Sequence, residues 1–252
     1  MTATPTVVID LDGVVWLAGE AIAGGGEAIA LLRSAGFPIL FVTNNSSPTI
    51  ATLVDRLAQV GIETHPDEII TASSAAAHAA PEGCSALVIG ESGLFEAAER
   101  RGLRNERHKP DVVLLGWSRV FDFEVVAEAA HAVRHGAQFI ATNDDPTHPT
   151  PTGLLPGTGA LVAAVAVASE TQPLIAGKPG QPIVDLIAER SDSVSLVIGD
   201  RPSTDGLLAD RVGATFGLVT SAATPPGSAS ATLNGANLLD VVQTALHGVL
   251  AS

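Results

Sequence analysis

The sequence predicts an α/β fold, with a Rossmann-like core built on a parallel sheet and a second α/β domain inserted into it. Short apolar runs rich in β-branched residues alternate along the chain with amphipathic helical patterns that end at glycine. Strands that alternate with helices form βαβ units, and such units build a parallel sheet. The alternation continues through about a hundred residues in the middle of the chain, enough for a domain of its own.

Seven apolar runs are predicted to be buried strands, and two of the stretches between them to be helices. The first helix covers residues 27–35 and ends at Gly36. The second is indicated by apolar residues at intervals of three and four from Ile50 to Leu57, and it ends at Gly61. The predicted strands are residues 7–11, 39–43, 86–90, 112–116, 139–142, 196–199 and 215–219.

Two changes in composition mark the edges of the insertion. Alanine-rich residues 72–80 lead into Pro-Glu-Gly, and the glycine- and proline-rich residues 176–180 mark the return. We therefore predict a core domain of residues 1–78 and 177–252, and an inserted domain of residues 79–176.

Composition excludes several classes of partner. The formal net charge of −14 argues against nucleic acids and anionic membranes, since nothing would neutralise their phosphates. The single cysteine, Cys84, forbids an internal disulfide and fits a reducing compartment. Residues 1–6 carry no basic region, so we expect no signal peptide there, and the longest apolar stretch, residues 160–168, is too short to span a bilayer. We expect a soluble, cytoplasmic protein.

Two carboxylates close the first predicted strand, where Asp10 and Asp12 are followed by Gly13. Open α/β sheets bind their ligands beyond the carboxyl ends of the strands. Two acids there repel each other, so a stable fold needs a cation or a proton to balance them. The alternative is a strand end followed by an ordinary polar turn.

Two further segments could bind an anion. The second strand ends in Thr43, Asn44 and Asn45, whose hydroxyl and amide groups suit a phosphate at a helix start, although alone they favour a simple N-cap. Lys178 lies in Gly-Lys-Pro-Gly, a turn that could fix a point charge; the alternative is a surface lysine.

The strand predicted at residues 196–199 is followed directly by Asp200, and Asp205 follows five residues later. If its strand neighbours the first one, Asp200 points to the same place as Asp10 and Asp12. Three carboxylates with few compensating bases need a hard divalent cation, and Mg²⁺ is the natural choice.

In this order the four segments resemble those of the haloacid dehalogenase (HAD) superfamily of phosphohydrolases, over nearly the whole chain. Three of the motifs are similar in sequence to those of subfamily IIA: Thr-Asn-Asn, Gly-Lys-Pro and Gly-Asp-Arg-x-x-Thr-Asp. Members of that subfamily have a C2-type α/β cap between their second and third motifs. That subfamily contains NagD-type, p-nitrophenyl phosphate, phosphoglycolate and glycerol-phosphate phosphatases.

The resemblance implies a role for each residue. Asp10 would be the nucleophile that becomes an aspartyl phosphate, and Asp12 the acid that protonates the leaving alkoxide and then the base that activates water. Mg²⁺ would be held by the Asp10 carboxylate, the Asp12 backbone carbonyl and Asp200. Asp205 would orient Lys178 or a metal-bound water. The phosphate oxygens would be bound by Thr43, Asn44, Asn45 and Lys178.

The inserted domain would then be the cap. The resemblance extends to its residues 141–149, and places Asn143, Asp145 and His148 where they would contact the leaving group. For His148 the alternative is an ordinary surface-loop histidine. Caps of this subfamily also often supply the contacts of a homodimer.

The sequence thus predicts a Mg²⁺-dependent phosphatase of small phosphorylated metabolites. Two alternatives stay open. A phosphotransferase or mutase would pass the phosphoryl group to another alcohol, which Asp12 does not exclude. A phospho-acceptor signalling module would also combine an acceptor Asp, a hydroxyl residue and a lysine, although the insertion and Asp12 count against it.

Overall fold

The computed structural model describes residues 4–17, 19–150, 153–220 and 231–251; residues 1–3 of the N-terminal segment discussed above lie outside this range. The strands, in chain order, are β1 Thr6–Ile9, β2 Trp16–Leu17, β3 Glu20–Ala21, β4 Ile39–Thr43, β5 Ile69–Thr71, β6 Ser85–Ile89, β7 Arg104–Asn105, β8 Val112–Leu115, β9 Gln138–Ala141, β10 Thr147–Thr150, β11 Gly153–Pro156, β12 Leu174–Ile175, β13 Val194–Gly199, β14 Thr215–Val219 and β15 Leu233–Gly235.

The helices are α1 Gly25–Ser34, α2 Ile50–Gln59, α3 Ala72–Ala79, α4 Ser92–Arg100, α5 Phe123–Arg134, α6 Thr158–Ser169, α7 Gln181–Arg190, α8 Leu207–Val212 and α9 Leu238–Leu246. A 3₁₀ turn at Pro66–Glu68 precedes β5, and a π-helical turn at Pro202–Gly206 precedes α8. No helix in the described part of the chain is both long enough and apolar enough to cross a membrane. The cytoplasmic location stays a prediction.

The chain divides into two compact units. The first unit comprises the described residues of Met1–Thr43, Ala51–Ile70 and Val184–Ser252, and the second unit those of Asn44–Ile50 and Thr71–Ile183. The second unit is thus inserted into the sequence of the first.

The first unit is built on a six-stranded sheet in the order β15-β14-β13-β1-β4-β5. Strand β1 pairs in parallel with both β13 and β4, and β13–β14 and β14–β15 are also parallel. All residues of β1 and β4 are buried, as expected of apolar strands that are covered on both faces. This order, with β1 in the interior of the sheet, confirms the predicted Rossmann-like core.

The second unit has a sheet of its own, in the order β12-β9-β8-β6-β7, and all its strand pairs are parallel. Helices α5 and α6 pack on each other, and their alanines and valines form one apolar cluster with β6, β8 and β9. Strands β10 and β11 form a separate antiparallel hairpin.

The bounds of the units differ from those of the predicted domains, residues 1–78 with 177–252 and residues 79–176, which stay a prediction. Helix α3 packs against α4 and is therefore grouped with the second unit. Asn44 and Lys178, which the predicted bounds assign to the core, are also grouped with the second unit. The hydrogen bonds that tie these two residues together are described below.

Candidate active site

Buried carboxylates collect at the carboxyl ends of two neighbouring strands. Asp10 follows β1 and Asp200 follows β13, and the parallel register pairs Ile9 with Ile198. The Asp10 backbone N–H donates to the Ile198 carbonyl at 2.9 Å, so this end of β1 is fixed to β13. Both side chains are buried, with 7% of Asp10 and 1% of Asp200 exposed. This arrangement is consistent with the strand-end site predicted from the sequence.

Asp205 joins these two residues. One carboxylate oxygen each of Asp10, Asp200 and Asp205 lies within 4.8 Å of the others, the one such group of three found among the described residues. The π-helical turn carries Asp205 back toward the strand end, where its Oδ2 accepts from the Arg201 N–H at 3.1 Å. Gly199 leaves the space for this carboxylate, since a Cβ there would overlap it. Asp205 therefore lies beside the two strand-end carboxylates, and its predicted role toward Lys178 or a metal-bound water stays a prediction.

Gly13 is required by the position of Asp200. Its φ is +89°, in the left-handed region that favours glycine, and a Cβ on Gly13 would overlap the Asp200 carboxylate. The turn is closed by the Gly13 N–H, which donates to the Trp16 carbonyl at 2.7 Å. The glycine of Asp-x-Asp-Gly thus serves both the turn and the close approach of a carboxylate.

Gly13→Ala is expected to displace Asp200 and to destabilise the protein, and Gly19→Ala is a matched control. Gly19 has a φ of +90° but no atom within 4 Å of a Cβ placed there. Both substitutions should lower the free energy of unfolding by roughly 1–2 kcal/mol for the left-handed backbone. Only Gly13→Ala should also weaken Mg²⁺ binding, measured by calorimetry. Equal metal affinity in the two variants would contradict the proposed link between Gly13 and Asp200.

Asp12 lies near the surface and is held by two donors. Its Oδ1 accepts from the Trp16 indole N–H at 3.0 Å, and its Oδ2 accepts from the Thr43 hydroxyl at 3.2 Å. Thr43 is the last residue of β4, the neighbour of β1, and is buried. The structure thus brings two predicted site residues together, and adds Trp16, which the sequence argument did not include.

Asn44 and Lys178 form a reciprocal pair in the second unit. The Lys178 backbone N–H donates to Asn44 Oδ1 at 2.7 Å, and Asn44 Nδ2 donates back to the Lys178 carbonyl at 3.1 Å. Gly177 makes this approach feasible, since a Cβ there would press against Asn44 Oδ1. Lys178 is 3% exposed, which rules out the alternative of a solvated surface lysine.

Asn143 is tied to the same place. Its Nδ2 donates to the Asn44 carbonyl at 2.8 Å, and its Oδ1 accepts from the Asp145 N–H at 3.1 Å. The side chain is buried. Its predicted contact with the leaving group stays a prediction, but its amide acts here on Asn44. The sequence could not have indicated this contact, which joins residues far apart in the chain.

The remaining predicted residues have local partners. Asn45 Oδ1 accepts from the Ser47 N–H at 3.2 Å, a turn that leads into α2. His148 lies on β10, and its ring centroid is 5.0 Å from that of Trp117. Their predicted roles, like that of Asp145, remain predictions.

Cys84 has no sign of nucleophilic activation. Burial raises the pKa of its thiol, and the negative charge of Asp111 raises it further. Since the thiolate is the reactive form, both effects disfavour a cysteine mechanism.

Two family models match this chain. Residues 7–104 match a model described as haloacid dehalogenase-like hydrolase, and residues 175–245 match one described as HAD-hydrolase-like. The two matches include every predicted motif residue outside the inserted segment.

Individual proteins with similar sequences or structures support the same family. The 5′-nucleotidase YutF of Bacillus subtilis is 37% identical over 204 residues, which is 79% of this chain and 80% of that protein. The structure of the glycerol phosphate phosphatase Rv1692 of Mycobacterium tuberculosis in complex with magnesium aligns with a TM-score of 0.79 and 33% identity, over 86% of this chain and 68% of that one. NagD of Escherichia coli K-12 aligns with a TM-score of 0.85 and 27% identity, over 96% of this chain and 99% of that one.

Proposed function

Because this chain belongs to the haloacid dehalogenase-like hydrolases and is a phosphoric monoester hydrolase, we propose that it is a Mg²⁺-dependent phosphatase that works through an aspartyl phosphate on Asp10. The observation that carries the proposal is the buried group of Asp10, Asp200 and Asp205 at the ends of two parallel strands. Relatives are named for glycerol 3-phosphate, sugar phosphates and p-nitrophenyl phosphate, which supports substrates of this class. We include phosphoglycolate because of the sequence resemblance alone.

The carboxylates suit the proposed metal. Three buried carboxylates this close repel one another, and Mg²⁺ prefers oxygen ligands of this kind. We assign its binding to the side chains of Asp10 and Asp200 and the backbone carbonyl of Asp12, with Asp205 close enough to bind it directly or through water. When bound, the ion would offset the repulsion between Asp10 and the phosphate.

The residues of this chain then divide the chemistry. Asp10 attacks phosphorus, and the bond to the ester oxygen breaks while Asp12 gives that oxygen its proton. Asp12 next takes a proton from the water that cleaves the aspartyl phosphate. Lys178 supplies positive charge to the phosphoryl oxygens, and Thr43 and the Asn44 and Asn45 segment supply hydrogen bonds.

The same proposal includes a homodimer formed through the second unit. Val120 and Phe123 of that unit are 74% and 80% exposed and lie three positions apart in the sequence. Such side chains are costly to leave in water and suit a contact between copies of the chain.

Phosphate release from a panel of esters tests the function. With Mg²⁺ each chain should release many equivalents of phosphate from at least one ester, and excess chelator should stop release. Ca²⁺ should inhibit, because its larger and looser coordination shell misplaces the nucleophile. Full turnover in chelator would contradict the metal site. One phosphorylation per chain without release would instead indicate a phospho-acceptor module, and transfer to added alcohols a phosphotransferase.

A further inference from the structure

We infer that Trp16 is a positioning residue for catalysis, because its indole N–H holds Asp12 and determines which carboxylate oxygen carries the catalytic proton. The inference rests on the proposed role of Asp12 as acid and base. Trp16 Nε1 lies 3.0 Å from Asp12 Oδ1, within hydrogen-bond distance. Trp16 is 5% exposed, whereas Asp12 is exposed, so the buried partner fixes the exposed one.

The backbone fixes the indole in turn. The Leu11 carbonyl accepts from the N–H groups of Val15 at 2.9 Å and Trp16 at 3.2 Å, and the Trp16 carbonyl accepts from Gly13. Trp16 also begins the hairpin of β2 and β3, where it pairs with Ala21. The turn therefore fixes the backbone of Trp16, and the burial of the side chain restricts the rotamers of the indole beside Asp12.

The two donors to Asp12 differ in what they allow. An indole N–H can only donate, so Oδ1 stays an acceptor in every state of the carboxyl group. A hydroxyl can donate or accept, so Thr43 can face Oδ2 whether or not that oxygen carries a proton. The proton that Asp12 gives to the alkoxide, and later takes from water, is thus directed to Oδ2. A general acid works only when its proton points to the oxygen that leaves, which makes this selection useful for catalysis.

Trp16→Phe tests the inference because it keeps an aromatic ring and removes the donor. For glycerol phosphate, whose alkoxide needs a proton to leave, kcat/KM should fall about tenfold or more, the usual scale for loss of one charge-assisted hydrogen bond. For p-nitrophenyl phosphate, whose phenolate leaves without a proton, kcat/KM should fall much less. If Trp16 had only a structural role, kcat/KM would fall by the same factor for both esters.

Asp12→Asn supplies the second arm. In that background Trp16→Phe should leave the ratio of the two esters unchanged, since Trp16 acts only through the acid. A change of the ratio in that background would overturn the inference. Failure of the proposed function looks different, because the unmutated enzyme would then turn over neither ester.

Fluorescence tests the contact even if Trp16→Phe does not fold. The chain has two tryptophans and no tyrosine, so in Trp117→Phe protein Trp16 is the sole tryptophan fluorophore. Adding Asp12→Asn should shift its emission, because the indole N–H loses a charged acceptor. If the emission in this background is the same with and without the Asp12→Asn substitution, the contact is absent and the inference is overturned.

Discussion

Asp10→Asn protein is expected to release no phosphate from any ester, because an amide is a very poor nucleophile toward phosphorus. The loss should be about a millionfold, the scale on which removal of other enzymatic nucleophiles acts. The substitution keeps the shape of a side chain that is 7% exposed, so the fold should survive. Phosphate release at saturating ester and Mg²⁺, with equal amounts of variant and unmutated protein, is the measurement.

The control is Asp55→Asn, an exposed aspartate on α2 of the first unit, which should leave turnover unchanged. In chelator, Asp10→Asn should also melt no lower than the unmutated protein, because it relieves repulsion with Asp200 and Asp205. Appreciable phosphatase activity in pure Asp10→Asn protein would refute the assignment of the nucleophile.

Those parts of the fold that follow from local patterns could be predicted from the sequence. The runs that end at Asp10, Thr43 and Asp200 are β1, β4 and β13, neighbours in one parallel sheet. Runs of β-branched residues between amphipathic helical patterns are sufficient to predict these strands, because a parallel sheet buries both faces of its strands. The predicted strand ends were less accurate. Residues 7–11 were predicted as strand, yet β1 ends at Ile9, since the Leu11 carbonyl already serves the turn that follows.

Contacts that depend on the path of a turn could not be predicted. Asp205 reaches Asp10 and Asp200 through a π-helical turn, whose geometry no spacing rule for regular helices describes. The Asn143 contact with Asn44 joins two residues that are 99 positions apart, and depends on how the second unit folds. The contact between Trp16 and Asp12 could in principle have been predicted, because Gly13 between them indicates a tight turn. A tryptophan in an apolar run is, however, more often part of a core.

Lys178→Ala is expected to slow the hydrolysis of every ester by a similar factor, about a hundredfold to a thousandfold, because it removes charge from a transition state that all esters share. The chain offers a close control: its one other lysine, Lys109, also precedes a proline but is exposed, so Lys109→Ala should retain full activity. Asn143→Ala should also slow every ester by a similar factor, but by less than Lys178→Ala does. Asn143 donates to the Asn44 carbonyl, and Asn44 Oδ1 accepts from the Lys178 backbone N–H.

The profile across esters separates binding of phosphate from choice of leaving group. His148→Ala should change the ranking among glycerol phosphate, phosphoglycolate and p-nitrophenyl phosphate, since a residue that contacts the leaving group acts differently on each. Lys178→Ala should preserve that ranking. The measurement is kcat/KM for each ester in both variants. If His148→Ala slows all three equally while Lys178→Ala reorders them, then the charge that stabilises the phosphoryl group does not come from Lys178, and its burial beside Asn44 has another cause.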